Sequence, residues 1–376
     1  MRLRRTDNMT RCGKDFNKAR HALKCYLCGI RGMGLAMRCG YLWLAGCALL
    51  ASLPARAQTT AELVAPAKAE KEVVYYTELI VDQIVRPLAA AFERKYGIKV
   101  TYWRGDSQAA ALKMAIEHQA GRTSADVWST ASGIGSLRDQ GLIEPFASES
   151  AQALPAGLHD TQGFWAATNM IVIGAAANTD LVGEADLPTS YEDLLLPKWR
   201  GRIAWKPNDV TGAWGFIGNV LATMGEERGL AWLRRLAGQN LAPIGASTRA
   251  ILDAVIGGEH ALVLGVSAHN TEISRKAGAP VVFLPLGQAW ATLHMIGVTR
   301  GAPHPRAGRL FVDFVLSPEG QEIFRNAGYL PARADVPPLS AAISPQLAGF
   351  PANVITPEAL DRGLAHWSEV YAAIFR

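Results

Sequence analysis

No cysteine occurs in residues 58–376 of this 376-residue chain; all five (Cys12, Cys25, Cys28, Cys39 and Cys47) stand near its start. That absence excludes a disulfide framework, a thiolate metal site and a cysteine nucleophile from the body of the protein. Cys25-x-x-Cys28 would be a redox or zinc half-site inside a domain, but reads as incidental where it stands. Positive charge is also scarce once its position is considered. The chain carries 38 Lys+Arg against 33 Asp+Glu, yet eleven of the basic residues fall in residues 1–57 beside only Asp7 and Asp15. The remainder has 27 basic against 31 acidic side chains, so nucleic-acid binding loses its compositional support. The longest apolar run of the leader, Tyr41 to Leu53, falls short of the roughly twenty residues that span a bilayer. Internal repeats, heptads and low-complexity tracts are lacking as well.

What is present first is an export signal. From Met37 the chain reads MRCGYLWLAGCALLASLPARAQTT, with a basic start, a short apolar core and an Ala55-Arg56-Ala57 end. Cleavage is expected after Ala57. The rival is Leu44-Ala45-Gly46-Cys47, which matches a lipoprotein acylation pattern, although the apolar run continues beyond Cys47. Residues 1–36 read as an over-extended start. An exported chain without disulfides, large enough to build its own core, fits the bacterial periplasm.

After an Ala/Lys/Glu-rich spacer (58–72), strands are expected over 72–79, 98–105 and 125–130, with helices over 107–121 and 133–140. The helix between the first two strands carries Leu88, Phe92 and Tyr96 at i, i+4 and i+8 and closes at Gly97. This β-α-β-α-β order predicts a parallel sheet, with a ligand outside the carboxyl ends of its strands. Thr77, Glu78, Arg104, Ser107, Ser129 and Thr130 occupy those ends. The length beyond residue 57 suggests two lobes, 73–167 with 292–376 and 168–291. A long strand over 164–178 marks the passage, and a second α/β set follows it.

Four segments in order, VVYYTEL through VTYWRGDS, SADVWSTASGIGSLRDQGLIEPF, YEDLLLPKWRGRIAWKPNDVTGAW and GAPHPRAGRLFVDFVLSPEGQEIF, resemble the extracellular solute-binding proteins of bacterial ABC importers. The branch resembled is that of the ferric-ion-binding proteins and their relatives for phosphonates, sugar phosphates and thiamine. The resemblance implies an α/β, two-lobed periplasmic binding protein fold of type II, with the ligand in the interlobe cleft. It implies a monomer without cofactor or catalysis that delivers a small, anionic or phosphorylated organic solute to an ABC permease. Ferric iron or a ferric chelate is the alternative cargo.

Individual residues then acquire competing roles. Thr211, Gly212 and Ala213 open a helix, where unpaired N–H groups and the helix dipole suit an anion. The plainer role is a cap by Asp209 or Thr211. Thr248 and Arg249 open another helix, and Arg249, like Arg104, is either a ligand contact or a solvated charge. Ser267 and His269 follow a buried strand. They serve as a catalytic pair, part of a metal site, or hydrogen-bonding groups for an organic ligand, the last being favoured. Catalysis is disfavoured because residues two apart on a turn rarely align as nucleophile and base. In the ferric-binding relatives two adjacent tyrosines stand at the positions matching Ala268 and His269, and the further donors fall near Leu79 and Ala131. A tight ferric site is therefore not expected. Tyr75-Tyr76 lies within a strand, where the two rings point to opposite faces. Trp290 is either a stacking surface for a ligand or a core residue.

Overall fold

A computed structural model describes residues 59–375 except Thr211 and Ala246. The readings of the export signal, the acylation pattern and the start lie outside these residues. Where a spacer is expected, residues Thr60–Glu70 form a helix, α1. Thr59 and Glu62 cap it reciprocally, and Leu63 and Ala67, four residues apart, are buried. The alternation of small apolar and charged residues that suggested a linker is one buried stripe.

Strand β1 (Glu72–Thr77) is followed by α2 (Arg86–Tyr96), β2 (Lys99–Arg104), α3 (Ser107–Gln119) and β3 (Val127–Thr130). Leu88, Phe92 and Tyr96 are buried on α2, and Gly97 ends it at φ 70°, a conformation that favours glycine. A short α4 (Ile134–Asp139), β4 (Ile143–Glu144) and α5 (Glu149–Gln152) lead to the long strand β5 (Ala166–Asn178). Next come β6 (Ile203–Trp205), α6 (Ala213–Met224), α7 (Glu226–Ala237), β7 (Ala242–Pro243), α8 (Thr248–Ile256), β8 (Leu262–Ser267), α9 (Ala268–Lys276) and β9 (Val281–Leu284). A second long strand, β10 (Ala289–Thr299), precedes α10 (Pro305–Leu316), α11 (Pro318–Asn326), β11 (Leu330–Pro331), α12 (Pro345–Ala348), β12 (Ala352–Ile355) and α13 (Pro357–Phe375). Among the described residues no helix is long and apolar enough to cross a membrane.

The sheet runs β2-β1-β3-β10-β5-β8-β6-β7. Strands β2, β1 and β3 are mutually parallel, as the β-α-β-α-β order predicts. Strand β10 is antiparallel to β3 and β5, and β5 is antiparallel to β8. The two long strands pass from one hydrophobic core to the other. Strand β5 begins in a core with Ala166 and Ala167 and ends in a second with Ile173, Ala175 and Ala177. Strand β10 travels the opposite way, from Trp290 to Leu293, Met295, Ile296 and Val298. Both are buried from both sides for most of their length, which explains their near-continuous apolar character.

One boundary differs from expectation. Ile355, Leu360, Val370 and Tyr371 join the second core, whereas the sequence places all of 292–376 with the first. The reason is a close helix pair. Gly218 of α6 and Gly363 of α13 both lie under the Trp367 ring, where an added Cβ would come within 2.5 and 2.3 Å of it. A side chain at either position would have to displace that ring.

Candidate functional site

At the carboxyl ends of β1 and β3 a cavity of about 360 Å³ opens toward the second half of the molecule. Glu78 enters from the end of β1, Asp106, Ser107 and Gln108 from the start of α3, and Ala131 and Ser132 from the loop after β3. Asp209 and Val210, in the loop before α6, form the opposing wall. Ile171 of β5 and Thr292 of β10, which are register partners, complete the lining from the crossing strands. The cavity thus lies where strand polarity places ligands in open α/β sheets.

Glu78 is the most constrained of these side chains. Ser107 Oγ donates to its Oε2 at 2.5 Å, and His294 Nε2 stands 3.3 Å from its Oε1. Burial alone would raise its pKa; the His294 contact and charge, the Ser107 hydroxyl and the Ala131 N–H outweigh that and hold it below the usual glutamate range. His294 is itself almost fully buried, with Nδ1 3.2 Å from Ser129 Oγ and 3.3 Å from Thr168 Oγ1. Behind it, Thr77 Oγ1 donates to Ser129 Oγ at 3.4 Å and accepts the Leu79 N–H. Thr77 and Ser129 therefore support the site from behind its lining. Thr130, also buried, donates to the carbonyl of Ser132.

Three backbone amides at the start of α6 have partners within the chain. Gly212 N–H donates to Asp209 O at 3.2 Å, Ala213 N–H to Lys206 O at 2.9 Å and Trp214 N–H to Asp209 O at 3.1 Å. These amides close a turn, and neither Gly212 nor Ala213, expected to contact an anion, stands in the cavity lining. Thr211 lies outside the described residues. Asp209 instead lines the cavity and pairs with Lys206.

The other expected contacts fall elsewhere. Arg104 is exposed at the end of β2, away from the lining. Thr248 and Arg249 open α8 outside the cavity, and Arg249 pairs with Asp253 at 2.8 Å across one helical turn. Trp290 is a core residue, edge-on to Phe216 at 5.9 Å. Ser267 is buried and outside the lining, its Oγ without a hydrogen-bond partner. His269 belongs to α9, stacked on Tyr329 at 4.7 Å between ring centroids. Burial lowers its pKa to about 4. His269 is thus a buried imidazole stacked on a phenol, outside the cavity lining. Tyr75 and Tyr76 face opposite sides, toward Phe311 and Trp103 respectively. Among the described residues, no three His, Cys, Asp or Glu side chains gather in a way that would hold a metal ion.

Of the expected residues, the structure brings Glu78 and Ser107 to the lining. Gln108, Ile171, Val210, Thr292 and His294 escaped sequence reasoning. The two long strands carried a usable signal for Ile171, Thr292 and His294, because strands crossing between two cores must pass the cleft.

A family model described as "Bacterial extracellular solute-binding protein" matches residues 73–330. The iron uptake protein A1 of Synechocystis sp. is 26% identical over 265 residues, covering 66% of this chain and 73% of that protein. A Salmonella typhimurium protein described as a 2-aminoethylphosphonate-binding periplasmic protein is 26% identical over 257 residues, covering 66% and 74%. The apo ferric-ion-binding protein A of Pasteurella haemolytica superposes with a TM-score of 0.68 at 17% identity, over 81% of this chain and 98% of that one.

Proposed function

The chain belongs to the bacterial extracellular solute-binding proteins, and from that premise we propose that it is an exported receptor that closes over a small organic solute and delivers it to an ABC permease. The observation that carries this is the cavity itself. It is built from the two halves of the molecule and from the strands that join them, and hydroxyl, amide and carboxylate side chains stand in its lining beside Ala131, Ile171 and Val210. Such a site can convert ligand contacts into closure, the shape a permease recognises. The cavity suits a small molecule with several hydrogen-bonding groups. The anionic class expected from the sequence loses its support at Gly212 and Ala213, while the relative named for 2-aminoethylphosphonate keeps phosphonates among the candidates.

Iron is the second reading, favoured by the iron-uptake relative. The positions matching the relatives' tyrosine pair hold Ala268 and a buried His269, so a ferric ion would have to arrive with an organic chelate.

A thermal-shift screen of the chain without residues 1–57 tests the proposal, using phosphonates, sugar phosphates, thiamine, carboxylates and ferric citrate. A bound solute at a hundred times its Kd adds about 2.7 kcal/mol, so a rise of several degrees in Tm is expected for one class. The same solute should be recovered chemically unchanged. Turnover of it would replace the receptor with an enzyme.

A further inference from the structure

We propose that the solute carries an ammonium group and that Glu78 is the residue that holds it. This rests on the receptor reading above and specifies its ligand. The described lining contains three carboxylates, from Glu78, Asp106 and Asp209, and no lysine, arginine or histidine. Two of the three are committed elsewhere. Asp106 caps α3 by accepting the Ala109 N–H at 2.8 Å, and Asp209 pairs with Lys206. Glu78 differs. The one basic side chain placed against it among the described residues is His294, so no lysine or arginine balances its charge.

The groups around Glu78 keep it ionised and aimed. Ser129 Oγ accepts a hydrogen bond from the Thr77 hydroxyl and lies 3.2 Å from His294 Nδ1. The other ring nitrogen of His294, Nε2, faces Glu78 Oε1. At 3.3 Å this nitrogen is buried and completes no well-directed hydrogen bond, so a polar atom beside the cavity remains unsatisfied. Ser107 fixes the other oxygen. With two oxygens and about four acceptor positions, the carboxylate retains capacity on its cavity side, where its side chain is 21% exposed. An ionised, preoriented carboxylate with no lysine or arginine against it, in a cavity shared with two more, selects a cation and disfavours a ligand that is only anionic. Ile171 and Val210 leave space for a short carbon chain, so the class is a small amine with a polar or anionic second group.

Matched probes differing in the amine test this: 2-aminoethylphosphonate against ethylphosphonate, glucosamine 6-phosphate against glucose 6-phosphate, and putrescine against 1,4-butanediol. Calorimetry should find binding by at least one amine and about tenfold or more weaker binding by its amine-free counterpart. Glu78→Gln, which keeps the shape and removes the charge, should weaken the amine by a similar factor and narrow the gap between the pair. Its circular dichroism and Tm, compared with the parent protein, establish that it is folded. If an amine-free probe binds as well as its amine, or if no amine binds, the ammonium assignment is overturned. The receptor reading survives if any unreacted solute from the broader screen binds, and falls if a solute is instead turned over.

Discussion

Gly212→Ala is expected to cost the protein both stability and its solute. Gly212 precedes α6 at φ −99°, ψ −127°, and a Cβ added there lies 2.3 Å from the carbonyl oxygen of Lys206. The obstacle is backbone, so no side-chain rotation relieves it. That carbonyl also accepts the Ala213 N–H at 2.9 Å, which ties the loop to the helix start. The loop must therefore move, at a cost of about 1–3 kcal/mol in the manner of an overpacked core. Because it carries Asp209 and Val210, its movement distorts one cavity wall, and affinity should fall about tenfold or more. Gly212→Pro should be worse, since it also removes the N–H that Asp209 O accepts. Proline is well tolerated at the first helical residue, but Gly212 is the residue before it. Urea unfolding and calorimetric titration check both effects. Parental stability and affinity in Gly212→Ala would mean that the turn is looser than its hydrogen bonds imply.

The second large effect concerns acid. His269 has its pKa lowered by burial to about 4, whereas in the unfolded chain it protonates near its ordinary value of 6.5. The unfolded state therefore takes up the proton first. Stability from this group is fully present above pH 6.5 and is lost as the pH falls toward 4. A shift of this size corresponds to roughly 3 kcal/mol at the acid end. His269→Phe keeps a ring against Tyr329 and cannot protonate, so its stability should fall less between pH 6.5 and 4. Urea midpoints at pH 7, 5.5 and 4 give the comparison. Equal losses in the two proteins would show that His269 is not held in the apolar site described.

The sequence made the architecture readable because strand and helix periods here are strong and the interruptions fall at glycines. Leu88, Phe92 and Tyr96 with Gly97 define α2, and the apolar run of 164–178 is one strand. α1 was obscured because only Leu63 and Ala67 of its eleven residues are buried, too thin a stripe to stand out against the alanines. At the site, Glu78 and Ser107 were legible from strand polarity alone. The packing of His269 was not legible, because a strand end followed by polar residues looks the same whether the chain turns into a cleft or into a helix packed on Tyr329. The α6 start is similar: a helix N-terminus suggests free amides, whereas the Lys206 and Asp209 carbonyls take those of Gly212, Ala213 and Trp214. Gln108, Val210 and Thr292 could not be singled out, since their role depends on a cavity assembled from segments distant in sequence.

Small-angle scattering tests the central claim most directly, on the chain with and without the compound that raises its Tm in the solute screen. If β5 and β10 act as the hinge of a receptor, saturating solute should lower the radius of gyration while the solute is recovered intact. Binding of the solute with no compaction, or its conversion to a product, would contradict the account.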